Sequence, residues 1–222
     1  VAEDGLAKKD AVRYVLRDNI FGLEIDPRCT QLAAFNVALA AWKIAGYREL
    51  PQLNIACSGL GIGGTKSDWV ALAPEHGYEM EQLFSLFRDA PSTGSLISPR
   101  KQAAFELAGS AFEKLEAKIL EGLEKYRTDS DFEHEELGVT AQGVTGAFAV
   151  LSERYHLVAT NVPYLGRGRQ DDTLKSFADR YHASAKADLA TCFVERCIEA
   201  CLPEGVAALV TPQIWLFLGG YK

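Results

Sequence analysis

Short apolar runs and longer amphipathic segments alternate along this chain. Four apolar runs have the length and composition of buried strands: residues 19–25, 52–57, 155–160 and 206–211. Segments with apolar residues at helical spacing lie around and between these runs, at residues 7–16, 27–45, 171–182 and 187–202. Asp26 and Pro27 are typical of a helix start, and Gly46 is typical of a helix end. Strands separated by helices predict an α/β fold with a mostly parallel sheet.

The middle of the chain departs from simple alternation of strands and helices. Residues 100–127 predict one long amphipathic helix, and residues 128–140 predict a solvated loop because acidic residues are concentrated there. We therefore expect a helical insertion at about residues 65–140. No internal repeat or low-complexity linker divides the sequence, so residues 1–222 predict a single domain with that insertion.

Composition and charge narrow the possible functions. No apolar run reaches the roughly 20 residues that a membrane helix needs, so we expect no membrane partner. Five cysteines without a Cys-x-x-Cys pair, and four scattered histidines, indicate a reducing, cytoplasmic location and no metal site. The net charge of -7 indicates that most of the surface that binds DNA, if the protein binds DNA, lies outside this chain. The local exceptions are Arg167 and Arg169, for which phosphate contact and a solvated loop are equally compatible with the sequence.

The polar residues with the clearest chemical meaning follow the third apolar run. Asn161, Val162, Pro163 and Tyr164 come directly after residues 155–160, at the carboxyl end of a predicted strand. Open α/β sheets bind their ligands at this end of their strands. The four residues resemble the Asn-Pro-Pro-Tyr motif of amino-group methyltransferases, with valine in place of the first proline.

Three other stretches resemble motifs of the same enzymes, in the same order. Residues 21–27 (Phe-Gly-Leu-Glu-Ile-Asp-Pro) are similar to the second cofactor motif, and residues 54–60 (Asn-Ile-Ala-Cys-Ser-Gly-Leu) are similar to the tip of the third strand. Residues 203–215 resemble the turn, fifth strand and Thr-Pro-x-x-Trp sequence of adenine DNA methyltransferases. The chain thus resembles adenine-specific DNA methyltransferases, especially those of phage-defence systems (BREX/PglX-like) and fused type IIG restriction-modification enzymes.

This resemblance implies a Rossmann-like sheet that binds S-adenosylmethionine and double-stranded DNA with the target adenine flipped out. Glu24 would accept hydrogen bonds from the ribose hydroxyls of the cofactor, Ile25 would pack on its adenine ring, and Ser58 would contact the adenine amino group. The Asn161 side-chain carbonyl and the Val162 backbone carbonyl would each accept a hydrogen from the target amine. Tyr164 would stack on the target base, and Pro163 would stiffen the loop.

The resemblance also implies that two elements of the family's catalytic domain are missing from this chain. The family's Gly-rich loop and the first strand that precedes it should lie upstream of residues 7–16. We therefore expect an internal fragment of a larger enzyme, with a gap between neighbouring strands, and we expect the fragment alone to be inactive. Two alternatives remain open at this stage: a methyltransferase that acts on a protein glutamine, and a non-catalytic remnant of the same fold that binds DNA or a partner.

Overall fold

The computed structural model describes residues 5–102, 132–213 and 217. Its helices are α1 (Lys8–Asp18), α2 (Pro27–Ala45), α3 (Lys66–Leu72), α4 (Gly77–Phe87), α5 (Ala90–Thr93), α6 (Phe132–Ser152), α7 (Asp172–Tyr181) and α8 (Leu189–Glu199). Its strands are β1 (Phe21–Glu24), β2 (Asn54–Cys57), β3 (Tyr155–Asn161) and β4 (Cys201–Val210). Short 3-10 turns are found at Pro74–His76, Gly94–Leu96 and Arg167–Arg169.

The four strands form two separate parallel pairs. β1 pairs with β2, and β3 pairs with β4, so within the described ranges there are two two-stranded sheets. The predicted α/β class and parallel pairing are confirmed. A single continuous sheet is not seen in the described part of the chain. The rings of Phe21 on β1 and Tyr155 on β3 are in contact, with their centroids 5.1 Å apart, and this contact links the two pairs.

The larger hydrophobic core covers the β1–β2 pair. Its fully buried side chains come from α3, α4 and α6: Trp69, Met80, Leu83, Phe87, Val144 and Phe148. Leu23 on β1 and Ala56 on β2 pack against this cluster. α6 contacts both strands of the first sheet, and α3 and α4 complete the same core. Burying these large apolar side chains supplies much of the driving force that holds the sheet in place.

One predicted element near the insertion is wrong. Residues 128–140 were expected to be a solvated loop, but α6 begins at Phe132 and continues to Ser152. Acidic residues are favourable in the first turn of a helix, because the positive end of the helix dipole lies there. A run of acidic residues therefore does not distinguish a loop from a helix start. The long helix predicted at residues 100–127 lies mostly outside the described residues, as do Ile214 and Trp215.

The predicted boundary between α8 and β4 is also wrong. The helix was expected to run to residue 202, with a turn before a strand at 206–211, but β4 already begins at Cys201. Tyr155 pairs with Cys201 while Leu157 pairs with Val206, so β4 has extra residues at this irregularity. A side chain at Gly205 would place its Cβ 2.7 Å from the Tyr155 carbonyl oxygen. The glycine therefore allows the two strands to approach closely, and the predicted turn is a bulge inside the strand.

One face of the β3–β4 pair is half-buried and the other is exposed. A second cluster, centred on Leu174, Ala178 and Cys192, brings α7 and α8 together beside this pair. On the open face, Leu157, Val206 and Val210 are each about three-fifths exposed. Among the described helices, none is both long enough and apolar enough to span a membrane.

Candidate active site

A cavity of about 800 Å³ lies between β1 and β3, where the two strand pairs face each other. Its walls include the ends of both strands and the segments that follow them. Six of the predicted site residues line this one cavity: Glu24, Ile25, Asn161, Val162, Pro163 and Tyr164. The structure therefore brings together, at one cavity, residues that are more than 130 positions apart in the sequence.

The segment from Asn161 to Tyr164 leaves β3 with its polar groups at the cavity. Val162 is only 2% exposed, and its backbone N–H donates to the Val210 carbonyl oxygen at 3.3 Å, which continues the ladder with β4. The Tyr164 hydroxyl lies 3.2 Å from Asn161 Oδ1 and 3.4 Å from the Val210 carbonyl oxygen, so it can donate to either. The Tyr164 ring is 54% exposed, so one side of it is open to a ligand.

Glu24 ends β1, and its carboxylate folds over the start of α2. Glu24 Oε1 accepts from the backbone N–H groups of Ile25 at 2.8 Å and Asp26 at 3.3 Å. Asp26 caps α2 by accepting from the Arg28 N–H at 2.8 Å. Hydrogen bonds from the Arg28 side chain and backbone lower the pKa of Asp26 to about 2. The other Glu24 oxygen, Oε2, has no hydrogen-bond partner among the described residues and is available to a ligand.

Ile25 packs closely against two glycines, which have no side chains that could clash with it. A Cβ at Gly59 would lie 2.3 Å from the Ile25 carbonyl oxygen, and a Cβ at Gly94 would lie 2.8 Å from Ile25 Cδ1. Gly94 also has a φ of +48°, a conformation that favours glycine. Because Gly59 and Gly94 have no Cβ, Ile25 can pack directly against their backbone. Ile25 is 45% exposed, and it lines the cavity.

Ser58 lies behind Glu24 rather than in the cavity wall. Its side chain is fully buried, and its backbone N–H donates to the Glu24 carbonyl oxygen at 2.7 Å. Its hydroxyl is 2.9 Å from the Ser95 hydroxyl and 3.3 Å from the Glu24 carbonyl oxygen. The structure thus places Ser58 next to the predicted cofactor residues, but with its hydroxyl turned toward the protein.

Arg167 and Arg169 lie on a 3-10 turn just past the cavity, and neither lines it. Arg167 Nη2 pairs with Asp179 Oδ2 at 2.6 Å, and hydrogen bonds from Lys186 and Arg167 lower the pKa of Asp179. Arg169 is exposed. Within the described residues, no group of three or more His, Cys, Asp or Glu side chains could hold a metal ion.

Ser95 and Arg196 are among the cavity residues that were not predicted as site residues. Arg196 is 6% exposed, and burial lowers the pKa of its guanidinium although neighbouring Glu199 opposes this. The sequence did carry a signal for Arg196. On α8 it lies beside the apolar positions Phe193 and Cys197, so a charged residue stands on the buried side of an amphipathic helix. Such a residue needs buried partners, and it is more informative than a charge on the solvated side.

Comparison with known proteins agrees with this geometry. The family described as Eco57I restriction-modification methylase matches residues 18–222. The adenine-specific methyltransferase BrxX of Escherichia coli O9:H4 (strain HS) is 27% identical over 99% of this chain and 20% of its own length. The adenine-specific methyltransferase PglX of Lacticaseibacillus casei (strain Zhang) is 26% identical over 99% of this chain and 18% of its own length. The chain therefore spans about a fifth of these relatives, and it belongs to the Eco57I restriction-modification methylase family.

Proposed function

We propose that this chain forms the catalytic site of an enzyme that methylates the exocyclic amino group of adenine in DNA, using S-adenosylmethionine, in a restriction-modification or phage-defence system. One observation carries the proposal. The Glu24 carboxylate and the Asn161–Tyr164 segment line the same cavity, so a cofactor site and an amine site adjoin each other. The relatives BrxX and PglX are both described as adenine-specific methyltransferases, which supports this choice of substrate.

We further propose that the two strand pairs are halves of one Rossmann-like sheet. Both pairs are parallel, and β1 and β3 line the same cavity. A strand supplied by another part of a longer enzyme would pair with both and join the halves. It would fill the part of the cavity between the two strands and leave the ends at Glu24 and Asn161 as the site. The relatives are about five times longer than the part matched here, which supports placing this chain within a larger protein.

The donor and acceptor groups fit a nucleoside cofactor at β1. Glu24 Oε1 is held by two backbone N–H groups, and its Oε2 is available to accept from ribose hydroxyls. Ile25 offers an apolar surface beside it for a purine ring. S-adenosylmethionine, when bound, supplies a methyl group on a positively charged sulfur. Glu24 and Ile25 would orient it, and the apolar strand residues around them would limit access of water.

The residues at the end of β3 would prepare the amine. The lone pair of the adenine amino nitrogen is delocalised into the ring, so the nitrogen is a poor nucleophile. Asn161 Oδ1 and the Val162 carbonyl would each accept one amino hydrogen, which favours a pyramidal nitrogen and directs its lone pair into the cavity. The amine becomes acidic as it is methylated, so no general base of shifted pKa is required. The base must leave the duplex to reach these groups.

The Tyr164 hydroxyl provides a test of this arrangement. Tyr164→Phe keeps the ring that would stack on the base but removes the donor to Asn161 Oδ1. We expect kcat to fall about fivefold, because a typical hydrogen bond contributes on the order of 1 kcal/mol. Tyr164→Ala should also weaken binding of the flipped base, since stacking contributes about 1–3 kcal/mol. Steady-state kinetics and 2-aminopurine fluorescence would separate the two effects, and equal behaviour of the two variants would contradict this assignment.

Between the two arginines, Arg169 is the better candidate for a phosphate contact, because Arg167 already pairs with Asp179. We expect Arg169→Ala to weaken DNA binding and to reduce the slope of log K against log salt by about 1. Arg167→Ala serves as the matched comparison and should reduce the slope less. Fluorescence anisotropy over a salt series checks this, and an unchanged slope for Arg169→Ala would remove the residue from the DNA interface.

The proposed function is tested by identifying the methylated product. The full-length enzyme is incubated with isotopically labelled S-adenosylmethionine and cellular DNA or protein, and the digests are analysed by mass spectrometry. We expect label in N6-methyladenine. Label in methylglutamine without methyladenine would select the protein-methylating alternative. DNA binding without any transfer would select the non-catalytic alternative.

A further inference from the structure

Arg196 connects three segments at the cavity wall. Its Nε donates to the carbonyl oxygens of Ser95 at 3.3 Å and Ile97 at 3.1 Å, and its Nη2 donates to the Leu151 carbonyl oxygen at 2.9 Å. Leu151 lies in the last turn of α6, where a cation is favoured by the helix dipole. The guanidinium therefore holds the segment after α5 against the end of α6.

The segment held by Arg196 leads directly to the predicted cofactor residues. The Ser95 hydroxyl is 2.9 Å from the Ser58 hydroxyl, and the Ser58 N–H donates to the Glu24 carbonyl oxygen at 2.7 Å. The adjacent residue, Gly94, forms the surface against which Ile25 lies. A continuous path of contacts therefore runs from the guanidinium on α8 to the end of β1.

The burial of Arg196 indicates that this arrangement is specific. A buried cation is costly unless it is paired and hydrogen-bonded. Here three carbonyl oxygens accept from it, and Glu199 Oε1 lies 3.8 Å from Nη1. Arginine can reach several acceptors at once because its donors are spread over a planar fork, whereas lysine is a single point charge.

We propose that Arg196 is a positioning residue for the cofactor: it fixes the 3-10 turn Gly94–Leu96, and this turn holds Glu24 and Ile25 in their binding geometry. The inference rests on the proposed function, because it concerns the same site. It assigns to α8 a role in binding the nucleoside, although α8 belongs to the half of the molecule that carries the amine site.

The test is calorimetric titration of S-adenosylhomocysteine into the full-length enzyme and its variants. We expect Arg196→Met to raise the Kd about tenfold, as the loss of a charge-assisted hydrogen bond would. Arg196→Lys should recover part of this affinity because it restores one charged donor. DNA affinity, measured by anisotropy, should stay within twofold of the wild type, which a general loss of structure would not produce.

Arg100→Met is the matched control. Arg100 Nε also donates to the end of α6, at the Ser152 carbonyl oxygen, but the bond goes to α6 rather than to the turn Gly94–Leu96. This variant should lose thermal stability and keep its affinity for S-adenosylhomocysteine. A Kd for Arg196→Met within twofold of the wild type, or an equal loss in Arg100→Met, overturns the proposal.

Ser95→Ala decides the question if Arg196→Met does not fold. This change removes only the hydroxyl that contacts Ser58 and leaves the carbonyl that Arg196 binds. We expect a several-fold weaker Kd, and an unchanged Kd would count against the path. Failure of the wild-type enzyme to bind S-adenosylhomocysteine would instead refute the proposed cofactor, a separate result.

Discussion

Replacing Asn161 with alanine in the full-length enzyme should lower kcat for DNA methylation by at least about a hundredfold. Loss of one preorganised polar group at a reacting centre typically costs 10²–10³ in kcat. Here the lost group is Asn161 Oδ1, which lies at the cavity and is contacted by the Tyr164 hydroxyl. Without it, one amino hydrogen of the base has no acceptor and the nitrogen lone pair is no longer directed.

The substitution should slow the methyl transfer step and leave the binding of cofactor and DNA nearly unchanged. The Kd values for S-adenosylhomocysteine and DNA should remain within about threefold of the wild type, because Asn161 would contact one amino hydrogen of the flipped base and no other part of the DNA or the cofactor. Asn54→Ala is a suitable control: Asn54 begins β2, and its Nδ2 donates to the Arg17 carbonyl oxygen at 2.8 Å. That variant should lose some stability and keep kcat. Single-turnover kinetics would measure the methylation rate of both variants and the wild type. A rate for Asn161→Ala within tenfold of the wild type would exclude the proposed role.

Replacing Glu24 with alanine should weaken binding of S-adenosylmethionine by roughly a hundredfold. Two charge-assisted hydrogen bonds to the ribose hydroxyls would be lost, each contributing about 1.5–3 kcal/mol, and partial replacement by water reduces the total. Glu24→Gln should lose less affinity because its amide oxygen still accepts one hydrogen bond. Both changes should leave kcat at saturating cofactor within about tenfold of the wild type, since Glu24 is not proposed to contact the amine.

The control for Glu24 is Asp26→Ala. Asp26 caps α2 two residues away, so its loss weakens the helix start without removing the carboxylate at the cavity. Calorimetry should show nearly normal cofactor affinity for Asp26→Ala and strongly reduced affinity for Glu24→Ala. Equal losses in the two variants would mean that Glu24 acts by supporting α2 and not by binding the ribose.

Local signals in the sequence were enough to predict the strands and many helix boundaries. The cap of α2 at Asp26 and its end at Gly46 are where the sequence indicates, because both depend on chemistry within one turn of the helix. The start of α6 was missed, since acidic residues suit both a solvated loop and a first helical turn. The early start of β4 was missed because it depends on close approach to Tyr155, a contact between segments distant in sequence.

The same contrast between local signals and contacts between distant segments applies to the candidate site. The residues at the ends of β1 and β3 could be predicted because a strand end followed by polar groups is a local pattern, and open α/β sheets bind ligands at the carboxyl ends of their strands. The position of Ser58 could not be predicted, since its hydroxyl contacts the hydroxyl of Ser95, which is distant in the sequence. Nor could the partners of Arg196, because its acceptors are backbone carbonyl groups, which every residue has.

The open face of the β3–β4 pair has a practical consequence for protein production. Leu157, Val206 and Val210 expose apolar surface there, and β1 and β3 each have an edge that is unpaired within the described residues. Unprotected strand edges with apolar side chains favour edge-to-edge association between molecules. Residues 1–222 expressed alone should therefore self-associate and precipitate as their concentration rises. A Lys substitution at Val206, which does not line the cavity, would then be a rational way to keep the isolated segment in solution.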